Sequence, residues 1–139
     1  AMLGLTLYEA VKMPGMKDFA LQAGTEALSV GQSIGHTIQP IFGLTEDDVK
    51  DTNRLLEKLL DKLAADIGPA ARDCVLQDHL KGRYSEVDLI NGLVVEESDK
   101  LGRRAPVNAA ITEITRRIQA GELQPDPSNL ELAQEMARA

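Results

Sequence analysis

A single cysteine in 139 residues, Cys74, leaves no partner for an internal disulfide and no thiolate set for a zinc site. Such cysteine usage reads as a reducing, cytoplasmic compartment. Tryptophan is absent and there are only two Phe and two Tyr, so the core has to be aliphatic. No uninterrupted apolar run approaches the ~20 residues that cross a bilayer, and no signal peptide is visible, so no membrane role is expected. Positive charge is scarce as well. Fifteen Lys and Arg stand against 22 Asp and Glu, a net charge of −7, which argues against nucleic acid because phosphate neutralisation needs clustered cations. No Gly-x-Gly-x-x-Gly turn follows an apolar strand, so nothing here seats a dinucleotide pyrophosphate on a helix N-terminus. His36 and His79 lack partner ligands at metal spacing, and no metal is expected. No nucleophile–base pair stands out for an independent hydrolase built on Asp78 and Glu86.

What is present reads as helices. Apolar residues make up 43% and charged residues 27%, ordinary for one globular domain, expected over residues 1–139. Thr6-x-x-Glu9 is a capping-box pattern that starts a short helix at Leu7 and lets it run to about Met13, before Pro14. A longer helix covers about Met16 to Ile34 and stops at Gly35. Thr37 to Gly43 is extended around Pro40. Thr45-Glu-Asp-Asp48 opens one further helix, whose apolar positions run from Val49 to Leu63 at three- and four-residue spacing. Gly68-Pro69 ends it, and the next helix is expected over roughly Ala70 to Leu80. Ser85 caps a helix reaching Leu101, whose stripe of Leu89, Ile90, Leu93 and Val94 marks it as the central one. Pro106 to Ala120 follows, with Ile111, Ile114 and Ile118 inward and Arg116-Arg117 outward. After Pro125 and Pro127, Asn129 to Ala137 can form a terminal helix, packed or loose. No strand-period segment exceeds four residues. The fold class is all-α, a compact bundle of about six or seven helices.

The densest signal lies between Cys74 and Val95. Leu76-Gln77-Asp78, a turn at Gly82-Arg83, and Ser85-Glu86-Val87-Asp88-Leu89-Ile90-Asn91-Gly92 are followed by Gly102 and Pro106-Val107-Asn108. This run resembles the C-terminal domain of the ketopantoate reductase family, which reads Ser-x-x-Gln-Asp, a basic turn, Thr-Glu-Ile-Asp-x-x-Asn-Gly, then Gly-x-x-x-Pro-x-Asn. The resemblance implies a helical bundle like the C-terminal domains of ketopantoate reductase and 6-phosphogluconate dehydrogenase. It also implies a parent reaction, NADPH-dependent reduction of a 2-oxo acid to a 2-hydroxy acid, in a homodimeric enzyme. The family places a Rossmann-type domain first and then a helix with a general-acid Lys, which is expected upstream of Met2. Leu3 to Glu9 resembles the segment after that helix. The chain alone is therefore expected to hold no cofactor and to be inactive.

Two residues carry the site expectations. Glu86 is either a first-turn carboxylate satisfied by the helix dipole or, as the resemblance implies, a cleft residue. In the latter role it contacts the nicotinamide end of NADP and the Lys–substrate network, since a carboxylate accepts from ribose hydroxyls and holds a protonated Lys. Cys74 stands where the family has a Ser that donates to the substrate carboxylate; its alternative is a small buried helix residue. Leu7 departs from a substrate-binding Asn near this place. Both changes weaken ketopantoate as substrate, and Cys74 at the carboxylate end of the pocket would favour a bulkier or less polar 2-oxo acid. Asp88 reads as a cap-like partner of Ser85, Asp78 as a cap or a partner of Arg83, and Asn91 as a hydrogen-bonding link to another segment. The competing class is a non-catalytic helical module for dimerisation or partner binding.

Overall fold

The computed structural model describes residues 1–66 and 68–139. Among these are eight helices and no strand: α1 Leu7–Ala10, α2 Met16–Ser33, α3 Glu46–Lys50, α4 Thr52–Asp66, α5 Cys74–Leu80, α6 Val87–Lys100, α7 Pro106–Gln119 and α8 Asn129–Arg138. The all-α class therefore holds, with one more helix than the upper expectation.

The extra helix comes from a break at Asp51, whose backbone is extended (φ −101°, ψ 93°). Thr45 and Asp48 form a reciprocal capping box on α3. Asp51 then starts α4, its carboxylate accepting from Arg54 N at 3.3 Å. No glycine or proline marks this break, so stop signals alone read one helix where a second acidic cap makes two. Similarly, α5 begins at Cys74 rather than Ala70. Asp73 is its cap and accepts from Leu76 N at 2.8 Å.

The Thr6–Glu9 capping box is present as expected, although α1 ends at Ala10. Ser85 is different. Its amide and hydroxyl both donate to Gln119 Oε1, at 2.9 and 3.2 Å, and Glu86 occupies the cap position of α6 without a side-chain cap bond. Asp88 consequently has no Ser85 to pair with. It accepts from Arg116 instead, at 2.8 Å from Nε, which ties α6 to α7.

The central helix is α7, not α6. It packs on α6, α8 and α2 and buries Val107, Ala110, Ile114 and Ile118 together with Asn108, Thr112 and Thr115. The core gathers Met2, Leu3, Phe19, Ile114, Leu130 and Ala133 around it. Each fully buried Leu or Ile here is worth about 1.5–3 kcal/mol relative to exposure. By contrast α6 buries only Val87 and Ser98, and its stripe stays open, with Leu89 75% exposed. Periodicity identifies an apolar face but not what covers it.

The N-terminus of α7 is capped from a distance. Glu26 of α2 accepts from Val107 N and Asn108 N, both at 2.9 Å, satisfying amides that Ala105 cannot. Helix α8 is packed rather than loose, because Leu130 and Ala133 are buried in the core. Asn129 Nδ2 donates to Met2 O and Gln124 O, and Asp126 N also donates to Met2 O. Gly4 permits this closure: its φ is +69°, and a Cβ there would stand 2.9 Å from Pro125 O.

Candidate functional site

Two hydrogen-bonded tethers bring the N-terminal segment against the start of α5. Leu7 N donates to Ala71 O at 2.9 Å, and the Ala1 amine donates to Asp73 Oδ2 at 2.6 Å. Behind them opens a cavity of about 370 Å³ between α1, α2, α5, α6 and α7. Leu7 and Cys74, the two departures from the family pattern, stand in its wall together. The wall is otherwise mainly aliphatic, with Leu5, Met16, Ala20, Ile90 and Ile111, and Asn91 adds an amide.

Cys74 is exposed at the first position of α5, so the reading of it as a buried helix residue fails. The reason is local: with Asp73 as cap, Cys74 falls in the first turn at the rim rather than mid-helix. Glu86 is exposed just before Val87, which is 2% exposed and part of the cavity wall; Glu86 itself lies outside that wall. Among the described residues Glu86 makes no side-chain hydrogen bond and no ion pair, and the helix-capping bond that would explain it structurally is missing.

The other motif residues build scaffold. Asn91 Nδ2 donates to Asn108 Oδ1 at 2.8 Å, and Asn108 Nδ2 donates to Ala23 O and to Glu26 Oε2. The Asn-Gly and Pro-x-Asn motifs are thus two halves of one polar junction joining α2, α6 and α7. Asp78 pairs with Arg83 at 3.1 Å across the turn, where Gly82 adopts φ +64° and Arg83 N donates to Asp78 O. Arg116 and Arg117, read as outward, are exposed and half-buried and are engaged by Asp88 and Glu122. A more open concavity of about 700 Å³ lies between α2, α7 and α8, but its Glu26 already caps α7. Among the described residues no three or more His, Cys, Asp or Glu gather as a metal set, and no helix is long and apolar enough to cross a membrane.

His79 gives a pH prediction. Its Nε2 is buried without a hydrogen-bond partner. Burial, reinforced by the Ala1 amine, pushes the imidazole below its ordinary 6.5, while Asp73 and Asp78 oppose the shift. The unfolded chain then takes up a proton that the folded chain resists. Stability from this group is complete above about pH 6.5 and is lost as pH falls through the lower folded value. Urea midpoints at about pH 7.5 and pH 5 should differ more in the native chain than in His79→Gln; equal differences would remove His79 as the cause.

Asp73, Glu26 and the cavity were not legible as site features beforehand. Asp73 carried a signal, an acidic residue immediately before an apolar helix, whereas Glu26 lies 81 residues from the amide it caps.

Comparison with known proteins bears on the same segment. A family model described as "Ketopantoate reductase PanE/ApbA C terminal" matches residues 1–119, covering every helix through α7. The chain belongs to the ketopantoate reductase C-terminal family. No match was found among curated proteins or solved structures.

Proposed function

We propose that this member of the ketopantoate reductase C-terminal family is the substrate-binding half of an NADPH-dependent enzyme that reduces a 2-oxo acid to a 2-hydroxy acid. One observation carries the reading: Glu86 stands exposed and without a side-chain partner beside the cavity that unites Leu7 and Cys74. In the full-length protein a Rossmann-type domain precedes residues 1–139, which form one helical domain in a cytoplasmic homodimer. NADPH bound there supplies the hydride, and a Lys ahead of Met2 supplies the proton to the carbonyl oxygen.

The residues of this chain have the supporting tasks. Glu86 accepts from a ribose hydroxyl and holds the ammonium of that Lys, a job suited to a carboxylate with free lone pairs. Cys74 meets the substrate at the rim. The aliphatic wall excludes water, which strengthens the charge interactions beside it.

A second reading, a non-catalytic module for dimerisation or partner binding, is favoured by the open face of α6, where Leu89, Ile90 and Leu93 are exposed. NADPH oxidation by the full-length protein against a panel of 2-oxo acids decides between them. Consumption with at least one acid is the expected result; none with any acid favours the module. In the active enzyme Cys74→Ser should shift the kcat/KM ratio toward ketopantoate by up to about tenfold, since a hydroxyl restores one hydrogen bond of about 1 kcal/mol. An unchanged ratio takes Cys74 out of the site.

A further inference from the structure

We infer that the cavity between α1, α2, α5, α6 and α7 takes the alkyl side chain of an aliphatic 2-oxo acid, with the polar head at the Cys74 rim. The 2-oxo acid head rests on the reductase reading above; the alkyl preference rests on the cavity itself.

At about 370 Å³ the space falls in the range of small-molecule sites, which begin near 300 Å³. Its chemistry is one-sided. Leu5, Leu7, Met16, Ala20 and Ile111 present carbon to it. Among the described residues the only charged side chain in the wall is Asp73, which caps α5 and accepts from Leu76 N through Oδ1. Thr115 is also in the wall, but it is 0% exposed and its hydroxyl is buried, so it offers the interior no accessible polar group. An apolar cavity of this kind holds water poorly and gains from an apolar occupant.

Besides Asp73 and Thr115, the polar side chains of the wall are Cys74 and Asn91. The Asn91 Nδ2 gives one hydrogen to Asn108 and retains a second for a carboxylate or keto oxygen. A compact, hydroxylated acid would leave its hydroxyl unpaired against Leu7 and Ile111. An alkyl chain loses nothing there. A wall that is mainly carbon with few free donors matches an acid with a plain hydrocarbon tail.

The test uses this chain and a homologous series from pyruvate through 2-oxohexanoate to 2-oxooctanoate, titrated while following the methyl resonances of Leu7, Ile90 and Ile111. Affinity should rise up to about fourfold per added methylene until the cavity is filled, with shifts centred on those methyls. Ala20→Leu, which occupies the space, should flatten that dependence. Leu7→Asn, which keeps the branched outline and replaces two methyls by an amide, should flatten it too and serves if Ala20→Leu does not fold. Affinity independent of chain length in the native chain, or a dependence that survives in the folded variants, overturns the inference. The reductase reading fails on a different observation, the absence of NADPH oxidation by the full-length protein with every acid, so the two failures are told apart.

Discussion

Asn108→Ala is expected to cost the fold about 2–4 kcal/mol, on the order of 10 °C in melting temperature for a domain of this size. Asn108 is 2% exposed and lies where three helices meet. Its Nδ2 donates to Ala23 O at 3.0 Å and to Glu26 Oε2 at 2.7 Å, and its Oδ1 accepts from Asn91 Nδ2 at 2.8 Å. Alanine removes all three bonds and leaves the partner groups of Ala23 and Asn91 short of a partner in a part-buried setting. A bond to a charged acceptor contributes about 1.5–3 kcal/mol and a neutral one about 0.5–1.5 kcal/mol, so the glutamate contact dominates. The backbone amide of residue 108 can still donate to Glu26, which keeps the loss below the simple sum. Asn91→Ala breaks only the outer bond and should cost about 1 kcal/mol. Urea unfolding of the two variants and their double mutant measures the coupling. A loss for Asn108→Ala below about 1 kcal/mol would falsify the junction as a stabilising element.

Glu86→Ala should behave in the opposite way, leaving stability nearly unchanged while kcat/KM of the full-length protein in the proposed reduction falls roughly 10- to 150-fold. The side chain is exposed and makes no capping bond, so only the helix-dipole contribution of about 0.3–1 kcal/mol is at stake in folding. A positioned charge-assisted contact to a ribose hydroxyl or a lysine is worth about 1.5–3 kcal/mol. Steady-state kinetics and urea unfolding on the same preparation separate the two. Glu86→Gln sharpens the comparison, since it keeps an acceptor oxygen and loses the charge that holds an ammonium. Activity within twofold of the native enzyme would mean that Glu86 is a helix-end carboxylate and nothing more.

The contrast between these two residues shows how motif and role come apart. Asn91, Gly92, Pro106 and Asn108 belong to the same resemblance as Glu86. Yet Asn91 and Asn108 meet inside the molecule and Glu86 meets nothing in it. A signature in one dimension mixes groups that hold the scaffold with groups that face a ligand. Only burial and hydrogen-bond partners sort them.

Local physics was legible wherever cause and effect lie within one or two turns. The Thr6 capping box, the acidic opening of α3, the glycine stops, the proline at the start of α7 and the aliphatic core could all be read from residue type and spacing. So could the family, because its motif is a run of nearby residues. The readings that failed depended on competition between segments. Ser85 looked like a cap, but Gln119, 34 residues on, offers its amide and hydroxyl a better acceptor. The α6 stripe looked central, but α7 can bury residues against α2, α6 and α8 at once, and α6 cannot. Helix class and the acidic character of the chain follow from composition and period, which are sums over neighbours in sequence. The central helix, the cap on α7 and the cavity that joins Leu7 to Cys74 were decided by tertiary structure, because each requires groups distant in sequence to compete for the same space or the same hydrogen bond.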